Sequence, residues 1–109
     1  MATNSAALIM SIISQIEACD FERLYEIEQQ AHLVPWSLGT LKNNQGERYL
    51  NLKLIENNQI IGFAICQTVL DEATLFNIAI LPTYQGCGFG KLLLGKLIFQ
   101  LKEKGVQTL

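Results

Sequence analysis

Cysteine is scarce in this chain. The three present, Cys19, Cys66 and Cys87, are odd in number and widely spaced. That excludes a disulfide framework and a cysteine-based metal knuckle, and leaves reduced thiols in a cytoplasm as the simplest reading. There is a single histidine, His32, far in sequence from Cys87. No lysine or arginine precedes Arg23, so the apolar run from Ala6 to Ile13 lacks the positive leading region of a signal peptide. It also falls well short of the roughly 20 apolar residues that a membrane span needs. No basic excess exists either: the net charge is −2, which argues against a phosphate-backbone partner. A basic peptide is compatible with that charge, although the charge is too small to select one. Linkers, repeats and low-complexity segments are missing. With 109 residues, half of them apolar, the chain has room for one core.

The periodicities give the elements. Ile12 to Ile16 reads as a first strand behind a ragged leader of about ten residues, with Met10 as an alternative start. Cys19 to Ala31 reads as a helix, with Asp20 as N-cap and Phe21, Leu24, Tyr25, Ile27 and Ala31 as its apolar stripe. Pro35-Trp36-Ser37 breaks the chain, and Ser37 caps a short helix through Leu41. Tyr49 to Glu56 alternates as a strand, Asn57-Asn58 turns with positive φ, and Gln59 to Val69 returns as the second arm of a hairpin. Asp71-Glu72 turns again into a strand from Ala73 to Ile80, which Pro82 ends. Leu92, Leu93, Leu94, Leu97, Ile98 and Leu101 give the helix from Lys91 to Lys104 a wide apolar face that should lie on the sheet. Gly105 closes that helix, and Val106 to Leu109 begins another strand.

The most informative stretch is Gln85-Gly86-Cys87-Gly88-Phe89-Gly90-Lys91. Three alternate glycines leave backbone N–H groups bare at a helix start, where unpaired amides and the positive dipole end favour an anion. Strand, bare loop and helix in that order suggest a pyrophosphate-binding device; a glycine-rich turn that merely caps a helix is the plainer alternative. The dinucleotide fingerprint fails, because its sixth position is Lys91 or Leu93 rather than glycine. The P-loop fails as well: its first position is Gln85 and its hydroxyl position is Leu92. The pattern Q/R-x-x-G-x-G/A fits at Gln85, Gly88 and Gly90. That pattern is the acetyl-CoA loop of the GCN5-related N-acetyltransferases (GNAT), which this chain resembles.

The resemblance runs from about Ser11 to Leu109. Pro35-Trp36-Ser37, Asn44 to Leu50, Asp71 to Ile80 and Tyr84 to Lys91 are similar to the bacterial ribosomal-protein-alanine branch of that family. It implies an α/β (α+β) fold in which a mixed, mostly antiparallel sheet is flanked by helices. It implies acetyl-CoA as co-substrate and acetyl transfer to the N-terminal alanine amine of a ribosomal protein, without direct nucleic-acid or membrane contact. The family's next strand, a further helix and two closing strands would follow Leu109. The glutamate and tyrosine assigned as general base and acid would lie there too, so no catalytic residue is expected within residues 1 to 109. A non-catalytic acyl-CoA-binding or interaction fragment, and a domain completed by strand exchange with a second chain, are the other readings.

By the same resemblance, the amides of Gly86, Cys87, Gly88, Phe89, Gly90 and Lys91, with Gln85 ahead of them, cradle the pyrophosphate. Lys91 adds a cation there or is merely solvated. The pantetheine arm pairs with the edge of Ile78, Ala79 and Ile80, where the family's strand bulges and a backbone N–H stabilises the developing oxyanion. Trp36 is either a core anchor or, with His32 and Pro35, part of an acceptor pocket. Glu72 is either a polar turn residue or a neighbour of the peptide substrate. Cys87 sits where a thiol pKa tends to fall, yet has no base nearby; a tolerated small side chain is the reading adopted.

Overall fold

The computed structural model describes residues 11–109, so the leader and the alternative start at Met10 lie outside the described residues. Four strands form one sheet in the order β1-β2-β3-β4: Ile12–Gln15, Leu52–Glu56, Gln59–Val69 and Glu72–Ile80. Every adjacent pair is antiparallel. Three helices accompany them: α1 Phe21–Ala31, α2 Leu38–Asn43 and α3 Phe89–Glu103. Helix α1 packs on β3 and β4, and α3 packs on β2, β3 and β4. β3 is consequently buried without interruption from Ile61 to Cys66, instead of alternating as a strand with one wet face would. Phe63, Ile65, Leu24, Ile27, Leu93 and Leu97, all fully inaccessible, are among the residues of the core.

The turns follow the chemistry that their residues allow. Asn57 and Asn58 take φ of 51° and 64°, the left-handed pair that joins β2 to β3 as a tight hairpin. Ser37 caps α2, its Oγ accepting from the Thr40 N–H at 3.1 Å. Gly105, at φ 87°, ends α3. Beyond it the chain turns alongside β4: the Ala73 N–H donates to the Thr108 carbonyl at 2.8 Å, and Glu72 and Thr108 form a parallel bridge.

Four expectations need correction. The helix at Cys19 begins as a short 3₁₀ turn, Ala18–Asp20, and Asp20 does not cap α1. Its Oδ2 is taken by the Glu17 N–H at 2.7 Å and by Lys53 Nζ at 2.6 Å, so a cross-sheet ion pair outcompetes the cap. The strand expected from Tyr49 starts at Leu52, because Asn51 turns its side chain inward, accepting from the Cys66 N–H and donating to the Asn44 carbonyl. Helix α3 starts two residues earlier than Lys91, and Leu92 is exposed, outside the buried line of Leu93, Leu97 and Leu101. Strand β4 starts at Glu72, one residue before Ala73, since Leu70 at φ 55° already makes the turn.

Two irregularities shape β4. Leu75 pairs with Cys66 and Asn77 with Ile65, so Phe76 is an extra residue, a bulge. Farther along, β3 passes so close that a Cβ on Gly62 would lie 2.8 Å from the Ala79 carbonyl oxygen. Only glycine permits that approach.

Candidate functional site

The site is built along the outer edge of β4. Successive strand residues direct their backbone groups to opposite edges. Leu81 donates its N–H to Ile61 across the sheet, which turns the backbone groups of Ile78 and Ile80 outward. Among the described residues, only Glu72 and Ala73 at the start of this edge have a strand-like partner, Thr108. The backbone groups of Ile78 and the N–H of Ile80 are therefore free to hydrogen-bond an extended, amide-bearing ligand.

Gln85 ties the glycine-rich loop to that edge, its side-chain amide donating to the Ile80 carbonyl at 2.8 Å. Pro82–Tyr84 form a 3₁₀ turn, and Tyr84 meets Phe89 edge-to-face with centroids 5.8 Å apart, fixing the angle between loop and helix. Gly86 and Gly88 adopt φ of 79° and 89°, a region that other residues enter only under strain. A Cβ on either, or on Gly90, would meet no protein atom within 4 Å. The bare backbone thus faces open space: Gly86, Gly88, Gly90 and Lys91 line a hollow of about 370 Å³. Leu92 makes the first helical bond, to the Gly88 carbonyl at 3.1 Å. The amides of Phe89, Gly90 and Lys91 precede the ladder and stay available, at the positive end of a 15-residue helix. Lys91 is exposed and in no ion pair among the described residues. Cys87 is exposed too, with Sγ 3.8 Å from the Gln85 carbonyl and, among the described residues, no histidine or carboxylate hydrogen-bonded to it.

A second hollow, about 300 Å³, opens at the bulge. Glu28, His32, Leu33, Val34, Trp36, Phe76 and Asn77 line it. Sequence reasoning anticipated His32 and Trp36 there; Pro35 is not in the lining. It missed Glu28: the position lies on the same face as Phe21, Leu24 and Ala31, but a glutamate flanked by the exposed Gln29 and Gln30 is passed over when only apolar residues are counted into the stripe. Glu28 is nevertheless 1% exposed. Its Oε1 accepts from Asn77 Nδ2 at 3.0 Å and its Oε2 from the Trp36 N–H at 2.9 Å. His32 Nε2 lies 3.0 Å from Asn77 Oδ1 and 3.6 Å from Glu28 Oε1. Two sequence signals were available: that helical spacing, and the break at Pro35-Trp36-Ser37, where a chain leaving a helix needs a partner for its free amides.

The structure does not bring Glu72 to this hollow. It sits exposed at the start of β4, five residues and about 16 Å of strand from Asn77. The glycine loop and the hollow, by contrast, share one strand: only about 10 Å separates Asn77 from Ile80. Among the described residues no cluster of metal-ligating side chains occurs, and no helix is long and apolar enough to cross a membrane.

The arrangement has close counterparts. Over 100 residues the chain is 99% identical to the [ribosomal protein bS18]-alanine N-acetyltransferase of Haemophilus influenzae, covering 92% of this chain and 68% of that protein. The enzyme of the same name from Escherichia coli K12 is 54% identical over 100 residues, again covering 68% of its length. The crystal structure of the Escherichia coli ribosomal-protein-S18-alanine N-acetyltransferase superposes with a TM-score of 0.87, over 89% of this chain and 63% of that one. The chain thus spans about two thirds of the relatives it matches. At 20% identity, the PaiA N-acetyltransferase of Thermoplasma acidophilum, solved with coenzyme A, shares the fold with a TM-score of 0.78 over 88% of this chain and 74% of that one. The model of the acetyltransferase (GNAT) family matches residues 10–109, and this chain belongs to that family.

Proposed function

We infer that this protein carries acetyl-CoA on β4 and the glycine loop, and serves transfer of its acetyl group to the N-terminal alanine amine of a ribosomal protein in the cytoplasm. The observation that carries the reading is the junction at Ile80. There Gln85 fastens a bare helix N-terminus to an unpaired strand edge, so one ligand can offer pyrophosphate to the first and amides to the second. Acetyl-CoA is the family's co-substrate and has both parts. The acceptor follows from the 99% identical Haemophilus influenzae enzyme, named for alanine of bS18.

The roles divide along the strand. The amides of Gly86 to Lys91 hold the pyrophosphate, with Lys91 as an added cation. Ile78, Ala79 and Ile80 hold the pantetheine arm, and an outward N–H of this edge meets the oxyanion as the amine attacks. The thioester then arrives beside the bulge, next to the hollow of Trp36 and His32, where an acceptor can approach. The general base and acid keep the assignment that the family resemblance implies, outside residues 1 to 109. Glu28 is buried and accepts from Asn77 and Trp36, and Glu72 stands in a distant turn.

Calorimetry tests the cofactor half. Gly88→Val places a branched side chain at φ 89° over the bare amides. It should lower acetyl-CoA affinity by about tenfold or more, because several charge-assisted hydrogen bonds are lost together. Unchanged affinity would show that the loop is not the site.

A further inference from the structure

Three groups around the second hollow have no part in holding the cofactor: a buried carboxylate, an amide and the chain's only histidine. Their hydrogen bonds fix one another's orientation. Glu28 can only accept, so Asn77 must turn its Nδ2 towards Oε1, and its Oδ1 then faces His32. An amide oxygen needs a donor, so His32 Nε2 carries the proton. In the neutral ring Nδ1 is left with a lone pair and, among the described residues, no partner. The ring belongs to the hollow lining and its side chain is 38% exposed.

The rest of the lining is apolar or neutral. Leu33 and Val34 stand fully in solvent, and Phe76 and Trp36 form the walls. Glu28 and His32 are the only titratable residues of the lining: β4 contributes Phe76 and Asn77, and the α1–α2 connection contributes Leu33, Val34 and Trp36. A buried carboxyl behind a lone-pair acceptor suits a compact cation, and the apolar rim suits a small apolar group such as the methyl of an N-terminal alanine beside it. A peptide's terminal α-ammonium is such a cation.

We propose that the Glu28–Asn77–His32 chain is the reader of the acceptor's N-terminal α-ammonium: His32 Nδ1 accepts its hydrogen bond, Asn77 fixes the imidazole tautomer, and the Glu28 carboxylate supplies the compensating charge. His32 is thus a binding residue, while Asn77 and Glu28 position it. This rests on the amine-acetylation reading but not on the glycine loop.

Because His32 is the only histidine, its two nitrogens can be followed directly by nitrogen NMR of the whole chain with labelled histidine. The probes are a short peptide with a free N-terminal alanine and the same peptide N-acetylated. The expected result is a protonated Nε2 and a bare Nδ1, with Nδ1 shifting on addition of the free peptide and not of the acetylated one. His32→Gln should weaken the free peptide about tenfold or more, as loss of a hydrogen bond to a charged group predicts. It should leave acetyl-CoA affinity unchanged. Glu28→Asn tests the charge; if that variant does not fold, the His32 results alone decide. A proton on Nδ1 of the neutral ring, or equal shifts with both peptides, would overturn the proposal. If acetyl-CoA binds normally but the peptide is indifferent to His32, only this inference fails; if acetyl-CoA also fails to bind, the acetyltransferase reading falls with it.

Discussion

Lys53 shows how one residue can anchor an element that its sequence neighbours do not. It lies on β2 between Leu52 and Leu54 and is 6% exposed. Its ammonium lies 2.6 Å from Asp20 Oδ2 and 3.1 Å from Glu17 Oε2, tying the turn before α1 to the sheet. Burial pushes the Asp20 carboxyl up, but the Lys53 bond and the Glu17 amide outweigh it, and the net position is below the ordinary 3.8. Burial likewise pulls Lys53 down, and its two carboxylates outweigh that, lifting it above 10.5. A depressed acid stabilises the fold above its unfolded pKa, and that contribution is lost as pH falls through the lower folded value. A raised base does the reverse: its contribution is present below 10.5 and lost as pH rises through the raised value. Lys53→Met strands Asp20 in a buried site, at a cost of about 3 kcal/mol at neutral pH. Urea unfolding should show wild type and variant converging below about pH 4 as Asp20 is protonated. A gap that stays constant down to pH 2 would mean that the lost stability came from packing rather than charge.

At the scale of elements, the edge of β4 is the feature on which the function turns. If acetyl-CoA adds along Ile78 to Ile80 as a further strand, it takes the outward groups of Ile78 and the Ile80 N–H, beside the Ile80 carbonyl that Gln85 already holds. Amide hydrogen exchange should then slow at the outward N–H groups of Ile78 and Ile80 on acetyl-CoA binding. Ala79, whose backbone faces β3 and is protected already, should change little. Slowing confined to the glycine loop, with β4 unaffected, would remove the pantetheine arm from this edge. Much of this architecture was legible beforehand because it rests on local rules. The Asn57-Asn58 turn, the Ser37 cap, the Gly105 stop and the glycine loop each follow from what one or two residues allow. The hollow was legible only in part. Trp36 and His32 were visible as unusual residues near a chain break, but Glu28, although spaced with Phe21, Leu24 and Ala31, is of a residue type that is rarely buried. Its burial is decided by Asn77, 49 residues away, and by a bulge that exists only once β3 and β4 are paired. Asp20 was misread for the same reason: as a helix start it is a good cap, and only the folded sheet supplies Lys53.

For the whole molecule, the open edge and the available helix amides make stability and ligand binding one problem. The edge beside Ile78 to Ile80 offers unpaired hydrogen-bonding groups, and Phe76, Leu92 and Phe99 add exposed apolar area. Edges of this kind invite pairing with other chains. A ligand that binds the folded state alone stabilises it by about 2.7 kcal/mol at a hundred times its dissociation constant. In a domain of this size that raises the unfolding midpoint by roughly 10 °C or more. Acetyl-CoA should therefore raise the melting temperature of the 109-residue chain and, by covering the edge, suppress concentration-dependent association. Coenzyme A should do nearly as well, because pyrophosphate and pantetheine supply the contacts and the acetyl group few of them. ADP, which keeps the pyrophosphate but has no pantetheine arm, should give a smaller shift and leave association unchanged. Scanning calorimetry and light scattering across a dilution series separate the three ligands. Equal shifts with ADP and acetyl-CoA would mean that the loop acts alone and that the edge of β4 has no part in binding.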